Sequence, residues 1–89
     1  MNIRFESKFA KDLQRISDGR LLKAVKELVL ACKEAESLSE ISQVKKLKGY
    51  DTFYRVRIGD YRIGLEIAED ELIFVRCLHR KEIYRYFPQ

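Results

Sequence analysis

KKLKGYDTFYRVRIGDYR, residues 45–62, decides how the rest of the chain is read. Its centre alternates. Tyr54, Val56 and Ile58 share one face of a strand, and Arg55 and Arg57 share the other. Gly59-Asp60 then reads as a two-residue hairpin turn, which pairs Ile58 with Tyr61 and sets Arg57 opposite Arg62. Like charges facing each other across a strand pair are destabilising. Three arginines kept on one polar face therefore point to an anion held there. Phosphate is the usual one, because guanidinium binds its oxygens in a bidentate fork. Lys45, Lys46 and Lys48 add to this charge, and only Asp51 and Asp60 oppose it.

Toward the C-terminus, a strand over 61–68 turns Tyr61, Ile63, Leu65 and Ile67 inward and Arg62, Gly64 and Glu66 outward. The acidic turn Glu69-Asp70 leads into ELIFVRCL, residues 71–78, apolar on both faces and so a central strand. The face of Arg76 depends on the length of that turn, since a one-residue slip moves it across the sheet. KEIYRYF, residues 81–87, is a short terminal helix or turn of the kind that is often loosely held.

Toward the N-terminus, strands are expected near 44–48 and 52–58. Ser37 to Gln43 is a polar loop anchored by Leu38 and Ile41. MNIRF is a short strand. Phe9, Leu13 and Ile16 then recur at helical spacing, with Ser7 placed to cap the start. Ser17-Asp18-Gly19 breaks the helix, and a second follows over 20–35 with Leu21, Leu22, Val25, Leu28, Val29 and Cys32 as its stripe. The short connection implies an antiparallel helical hairpin.

Helices and strands thus segregate, which indicates an α+β domain over 1–89. The expected architecture is an N-terminal strand and a helical hairpin on one face of a mostly antiparallel, four- to five-stranded sheet, with a short C-terminal helix. The opposite face carries the arginines and is expected to be open, a surface suited to single-stranded nucleic acid.

Composition bounds the alternatives. Eighty-nine residues with 46% hydrophobic content fold as one modest core, with no room for a deep cofactor cleft. The formal charge of +4 and pI of about 9.2 are compatible with nucleic-acid binding without requiring it. Cys32 and Cys77 fall on apolar stripes and read as buried small hydrophobes. No CxxC or Cys/His cluster suggests zinc. No signal peptide or apolar run approaches the ~20 residues of a membrane span. A soluble cytoplasmic protein without cofactor or membrane association is the expectation.

The segment LKGYDTFYRVRIGDYRIGLEI and the tail IFVRCLHRKEIYRYF, with the order of elements, resemble the RelE/ParE superfamily, the toxin halves of type II toxin–antitoxin pairs. The resemblance spans nearly the whole chain. The helical half contributes little to it, because any amphipathic hairpin looks alike. It implies two possible activities. RelE-like members are endoribonucleases (mRNA interferases) that cut messenger RNA in the ribosomal A site without a metal. ParE-like members inhibit DNA gyrase and lack the catalytic set. Either kind implies a cognate antitoxin and a toxin–antitoxin hetero-oligomer, and the RelE-like kind adds mRNA, ribosome and rRNA as partners.

Carried over residue by residue, the strand pair of the nuclease is Arg55 and Arg57, where the best-known member has lysines. The next-strand arginine is Arg62, and the arginine after the last strand is Arg80. The C-terminal tyrosine is Tyr84 if a short deletion precedes EIY. A gapless alignment points instead to Lys81 and Phe87, and Tyr86 is a further candidate.

The chemistry fits these residue types. The RNA 2′-OH attacks the adjacent phosphorus in line, and the protein must move protons and stabilise the pentavalent phosphorane. Arginines suit the stabilising task. They are poor acids and bases, since their pKa lies above ~12. Tyr84 is a candidate base if its ordinary pKa near 10 is lowered. His79, the single histidine, is the alternative acid or base, or else a structural residue at a strand end. Lys45, Lys46 and Lys48 are expected to grip RNA phosphates without reading sequence.

Overall fold

A computed structural model describes residues 1–88. Five strands, β1 Asn2–Phe5, β2 Val44–Lys46, β3 Phe53–Ile58, β4 Tyr61–Ala68 and β5 Glu71–His79, form one sheet in the order β1-β5-β4-β3-β2. The helices are α1 Ser7–Gln14, α2 Gly19–Glu34 and the short α3 Ile83–Tyr86. β1 runs parallel to β5, and the remaining pairs are antiparallel. Among the described residues, no helix is long and apolar enough to cross a membrane.

The β3–β4 hairpin has the expected register, with Ile58 paired to Tyr61 and Arg57 to Arg62. Gly59 takes a φ of 56°. A two-residue turn with glycine first needs such a left-handed residue, and glycine takes it without steric cost.

Core-facing residues of the strands meet the helical stripes. Phe9 from α1 and Leu21, Val25, Leu28 and Cys32 from α2 pack on Val56, Ile63, Leu65, Leu72, Phe74 and Cys77. Burying each large aliphatic or aromatic side chain here is worth about 1.5–3 kcal/mol over leaving it exposed. α2 begins as its sequence suggests, with the Asp18 carboxylate accepting from the backbone N–H groups of Arg20 and Leu21. α1 does not begin as expected. Ser7 is already helical, and Glu6 occupies the cap position without a side-chain hydrogen bond.

The docking of α1 depends on a residue that periodicity alone did not single out. Asp12 is 4% exposed, and its carboxylate accepts from Arg76 Nε at 2.8 Å, Arg76 Nη2 at 3.0 Å and the Cys77 N–H at 2.9 Å. Arg76 pairs with Gly64 just past a register shift in the β4–β5 ladder, and its guanidinium reaches Asp12 on α1 while also lying over the Tyr86 ring of α3. Removing one partner of such a buried pair costs about 3–5 kcal/mol, because the other charge is stranded.

The opposite face of the sheet is not fully open, which corrects the expectation. A second hydrophobic cluster of Leu47, Ile83 and Phe87 packs there with Phe53, Val75 and Leu78. The C-terminal segment is therefore anchored rather than loose: Ile83 is fully buried and Phe87 is 1% exposed. This segment covers part of the polar face, and the part beside Lys45, Lys48 and Arg55 stays accessible.

Candidate nucleic-acid interface

The accessible part holds a surface cleft of about 570 Å³ lined by Lys45, Lys46, Leu47, Lys48, Tyr50, Arg55, Tyr84, Phe87 and Pro88. Three elements build it. β2 pairs Lys45 with Arg55, which places both on one face of the sheet. The turn after β2 supplies Lys48 and Tyr50. α3 supplies Tyr84, whose surface is 60% exposed. The side chains of Lys45 and Lys48 have no ion-pair or hydrogen-bond partner among the described residues. Lys46 reaches Asp51 at 4.0 Å, an exposed pair that contributes little. Arg55 donates to the Gln43 carbonyl at 3.3 Å. Gln43 presents that carbonyl from a left-handed conformation, φ 64°, and also receives the Arg57 N–H.

Arg57 on β3, Arg62 on β4 and Arg80 just after β5 stand nearer the β3–β4 turn. Arg57 is two residues from Arg55 on the same face, about 7 Å along the strand. Its side chain has no hydrogen-bond or ion-pair partner among the described residues. Arg62 folds back on the turn, with Nη1 donating to the Gly59 and Tyr61 carbonyls, both at 2.9 Å. Its head group is thereby drawn onto the turn that Arg57 faces across the strands. Arg80 meets the same turn. Its N–H donates to the Asp60 carbonyl at 2.7 Å, and its guanidinium lies 3.6 Å from the Asp60 carboxylate. A basic strip therefore runs from the lysine cleft along β3 to the β3–β4 turn.

The tyrosine alternatives separate in space. Tyr84 lines the cleft. Tyr86 instead lies under the Arg76 guanidinium, 5.7 Å from ring centroid to Cζ. Phe87 is buried, and the Lys81 N–H donates to His79 Nδ1 at 3.1 Å. His79 itself stands on the helix side of the sheet. It pairs with Tyr61 across the strands, its ring edge-on to Tyr61 at 5.5 Å, in a recess shared with Asp12, Arg15 and Glu82. The structure thus brings together Arg55, Tyr84, Lys45, Lys46 and Lys48, and sets His79 on the other face.

Among the described residues, three groups have shifted pKa values. Hydrogen bonding to Asp12 raises the Arg76 guanidinium above its ordinary value. Burial raises the Cys32 thiol to about 11 and the Cys77 thiol to about 12. Both are inert core residues on this basis. Another cleft, of about 600 Å³, lies by the Glu69-Asp70 turn and is bordered by Glu36, Glu69, Asp70 and Glu71. Its charge is wrong for phosphate.

Sequence periodicity missed Asp12, Gly64, Phe87 and Tyr50. Asp12 had a signal, lying three residues after Phe9 on the apolar stripe of α1. So did Gly64, because glycine inside a strand marks close approach of another group.

The chain and its fold have counterparts among known proteins. A family model described as the ParE toxin of the type II toxin–antitoxin system parDE matches residues 3–84. Toxin RelE3 of Methanocaldococcus jannaschii is 44% identical over 89 residues, covering 99% of this chain and 100% of that protein. A putative toxin RelE1 of the same organism is 34% identical over 82 residues, 91% of this chain and 90% of that one. The crystal structure of a RelB-RelE antitoxin–toxin complex from Methanococcus jannaschii matches with a TM-score of 0.83 at 44% identity, covering 96% of this chain and 99% of that one. The YoeB dimer of Staphylococcus aureus shares the fold at a TM-score of 0.72 and 20% identity, over 89% of this chain and 95% of that one.

Fold and family together define a toxin of the type II toxin–antitoxin class. The chain belongs to the ParE toxin family, within the RelE/ParE superfamily.

Proposed function

We propose that this toxin is a RelE-like endoribonuclease that cuts translated mRNA at the ribosome, in the cytoplasm, and is silenced by a partner antitoxin. The carrying observation is that Arg55 from β3 and Tyr84 from α3 line one cleft with Lys45, Lys46 and Lys48. A phosphodiester lying there meets preorganised cations where charge develops. As the 2′-oxygen bonds to phosphorus and the bond to the 5′-oxygen breaks, Arg55 and the lysines stabilise the phosphorane oxygens. Arg57, next along the strip, holds an adjacent phosphate. Tyr84, carried on the C-terminal segment, is assigned the proton transfer. The products are a 2′,3′-cyclic phosphate and a 5′-hydroxyl. Arg62 and Arg80 act farther off, fixing the turn that ends the strip.

The RelE relative is seen in complex with RelB. For this chain, the corresponding antitoxin would cover the basic strip with an acidic segment, giving fast and salt-sensitive association.

Induced expression in bacteria tests the activity. Growth should stop, with translated messages fragmented in primer extension before any DNA damage. Intact transcripts with induced DNA breaks would instead support the gyrase-directed reading.

A further inference from the structure

We infer that Tyr50 is a stacking platform for a nucleobase of the bound strand. This rests on the endoribonuclease reading and adds to it that the cleft takes RNA with at least one base unstacked from its neighbours.

Tyr50 belongs to neither hydrophobic cluster and keeps 48% of its surface exposed at the cleft rim. Its hydroxyl has no hydrogen-bond partner among the described residues. Burial in the core or a polar bond therefore does not account for an aromatic at this place. Its position is nevertheless fixed. Gly49 adopts φ 87°, and the Tyr50 N–H donates to the Leu47 carbonyl at 3.3 Å. The Tyr50 ring makes a T-shaped contact with Phe53 at 5.5 Å, and Phe53 makes another with the buried Phe87 at 5.5 Å. A T-shaped contact steadies a ring without covering both of its faces.

A steadied, uncovered ring beside Lys48 and Arg55 is the arrangement that binds single strands. Cations hold the backbone, and an aromatic face takes a base. Because every base has a π-face, the platform selects for an unpaired base rather than for a sequence. It contributes to binding and orientation, and proton transfer stays with Tyr84.

The test uses the whole chain and ribosomes programmed with a short mRNA. The mRNA carries 2′-O-methyl groups, so it cannot be cut, and single 2-aminopurine substitutions, whose fluorescence falls on stacking against an aromatic ring. The wild-type chain, Tyr50→Phe and Tyr50→Trp should bind and quench one of the labelled positions. Tyr50→Ala should bind roughly 5- to 150-fold more weakly and lose that quench, the span expected for one stacked base. Its melting temperature should fall only slightly, since the ring lies outside both cores and loses one T-shaped contact with Phe53. Unchanged affinity and quenching in Tyr50→Ala, with binding weakened in Arg55→Ala and Lys48→Ala, would overturn the platform and leave the endoribonuclease reading intact. If the wild-type chain does not bind, both fall.

Discussion

The ring of Phe87 occupies the space that a side chain at Gly64 would fill. A Cβ built on Gly64 would lie 2.8 Å from Phe87 Cδ1 and Cγ. Gly64 is paired with Arg55 in the β3–β4 ladder. The seat of the C-terminal segment is thus directly beside the basic cleft, and it holds Tyr84 three residues before Phe87.

Gly64→Ala should therefore separate fold from activity. Displacing Phe87 costs about 1–3 kcal/mol of stability. The main core does not include Phe87, so the chain should still fold. Misplacing Tyr84 by about 1 Å should lower RNA cleavage on the order of 10²-fold. Adding Phe87→Leu, which is smaller at the contact, should restore part of that activity. Melting curves and single-turnover cleavage check both effects, and full activity in Gly64→Ala would show that the seat does not matter.

Arg57 and Arg62 should differ although they face each other. Arg57→Ala removes one of two like charges, so stability should hold or rise by about 0.2–1 kcal/mol while toxicity is lost. Arg62→Ala also deletes two hydrogen bonds to turn carbonyls, each worth about 1 kcal/mol. Its melting temperature should fall. Growth assays beside thermal melts separate the two variants, and equal melting temperatures would refute the asymmetry.

The strand pattern predicts register and not where a guanidinium bends. Alternation and the Gly59-Asp60 turn were enough to pair Arg57 with Arg62, because a period of two and a two-residue loop leave one register. The helix stripes likewise followed from spacing. The second cluster was not legible, because KEIYRYF carries no strong periodicity and Gly64 reads as a gap between Arg62 and Glu66 until Phe87 fills it. The side taken by Arg76 was undetermined for a similar reason. It depends on a bulge and on Asp12, sixty-four positions away in sequence. The cleft residues were nameable by type and resemblance, whereas the division between Tyr84 and Tyr86 needed the path of the chain after β5.

Proton transfer can be assigned by removing single atoms. Tyr84→Phe keeps the ring and deletes the hydroxyl, so cleavage should fall by about 10²–10⁴-fold if Tyr84 moves the proton. His79→Gln should leave the rate near wild type, since His79 faces the helices and its Nδ1 is occupied by the Lys81 N–H. The opposite pattern would move the assignment to His79.

Alkaline pH should destabilise the fold through its thiols. Burial raises Cys32 to about 11 and Cys77 to about 12, while the unfolded chain ionises both near 8.5. The folded state therefore holds these protons more tightly. The stability this contributes is intact below about pH 8.5 and declines as pH rises toward the folded values, with a slope of up to about 1.4 kcal/mol per pH unit for each thiol. Urea midpoints between pH 8 and 9.5 should fall for the wild-type chain and fall less steeply for Cys77→Ala. Identical slopes would contradict this.

The most direct test of the endoribonuclease reading is the chemistry of the RNA ends. The purified toxin is mixed with ribosomes translating a defined mRNA, and the new termini are analysed. In-line attack by the 2′-OH predicts 2′,3′-cyclic phosphate and 5′-hydroxyl ends, absent with Arg55→Ala although that variant melts like the wild type. Uncut mRNA in the presence of wild-type toxin, together with inhibited gyrase supercoiling in a parallel reaction, would contradict it.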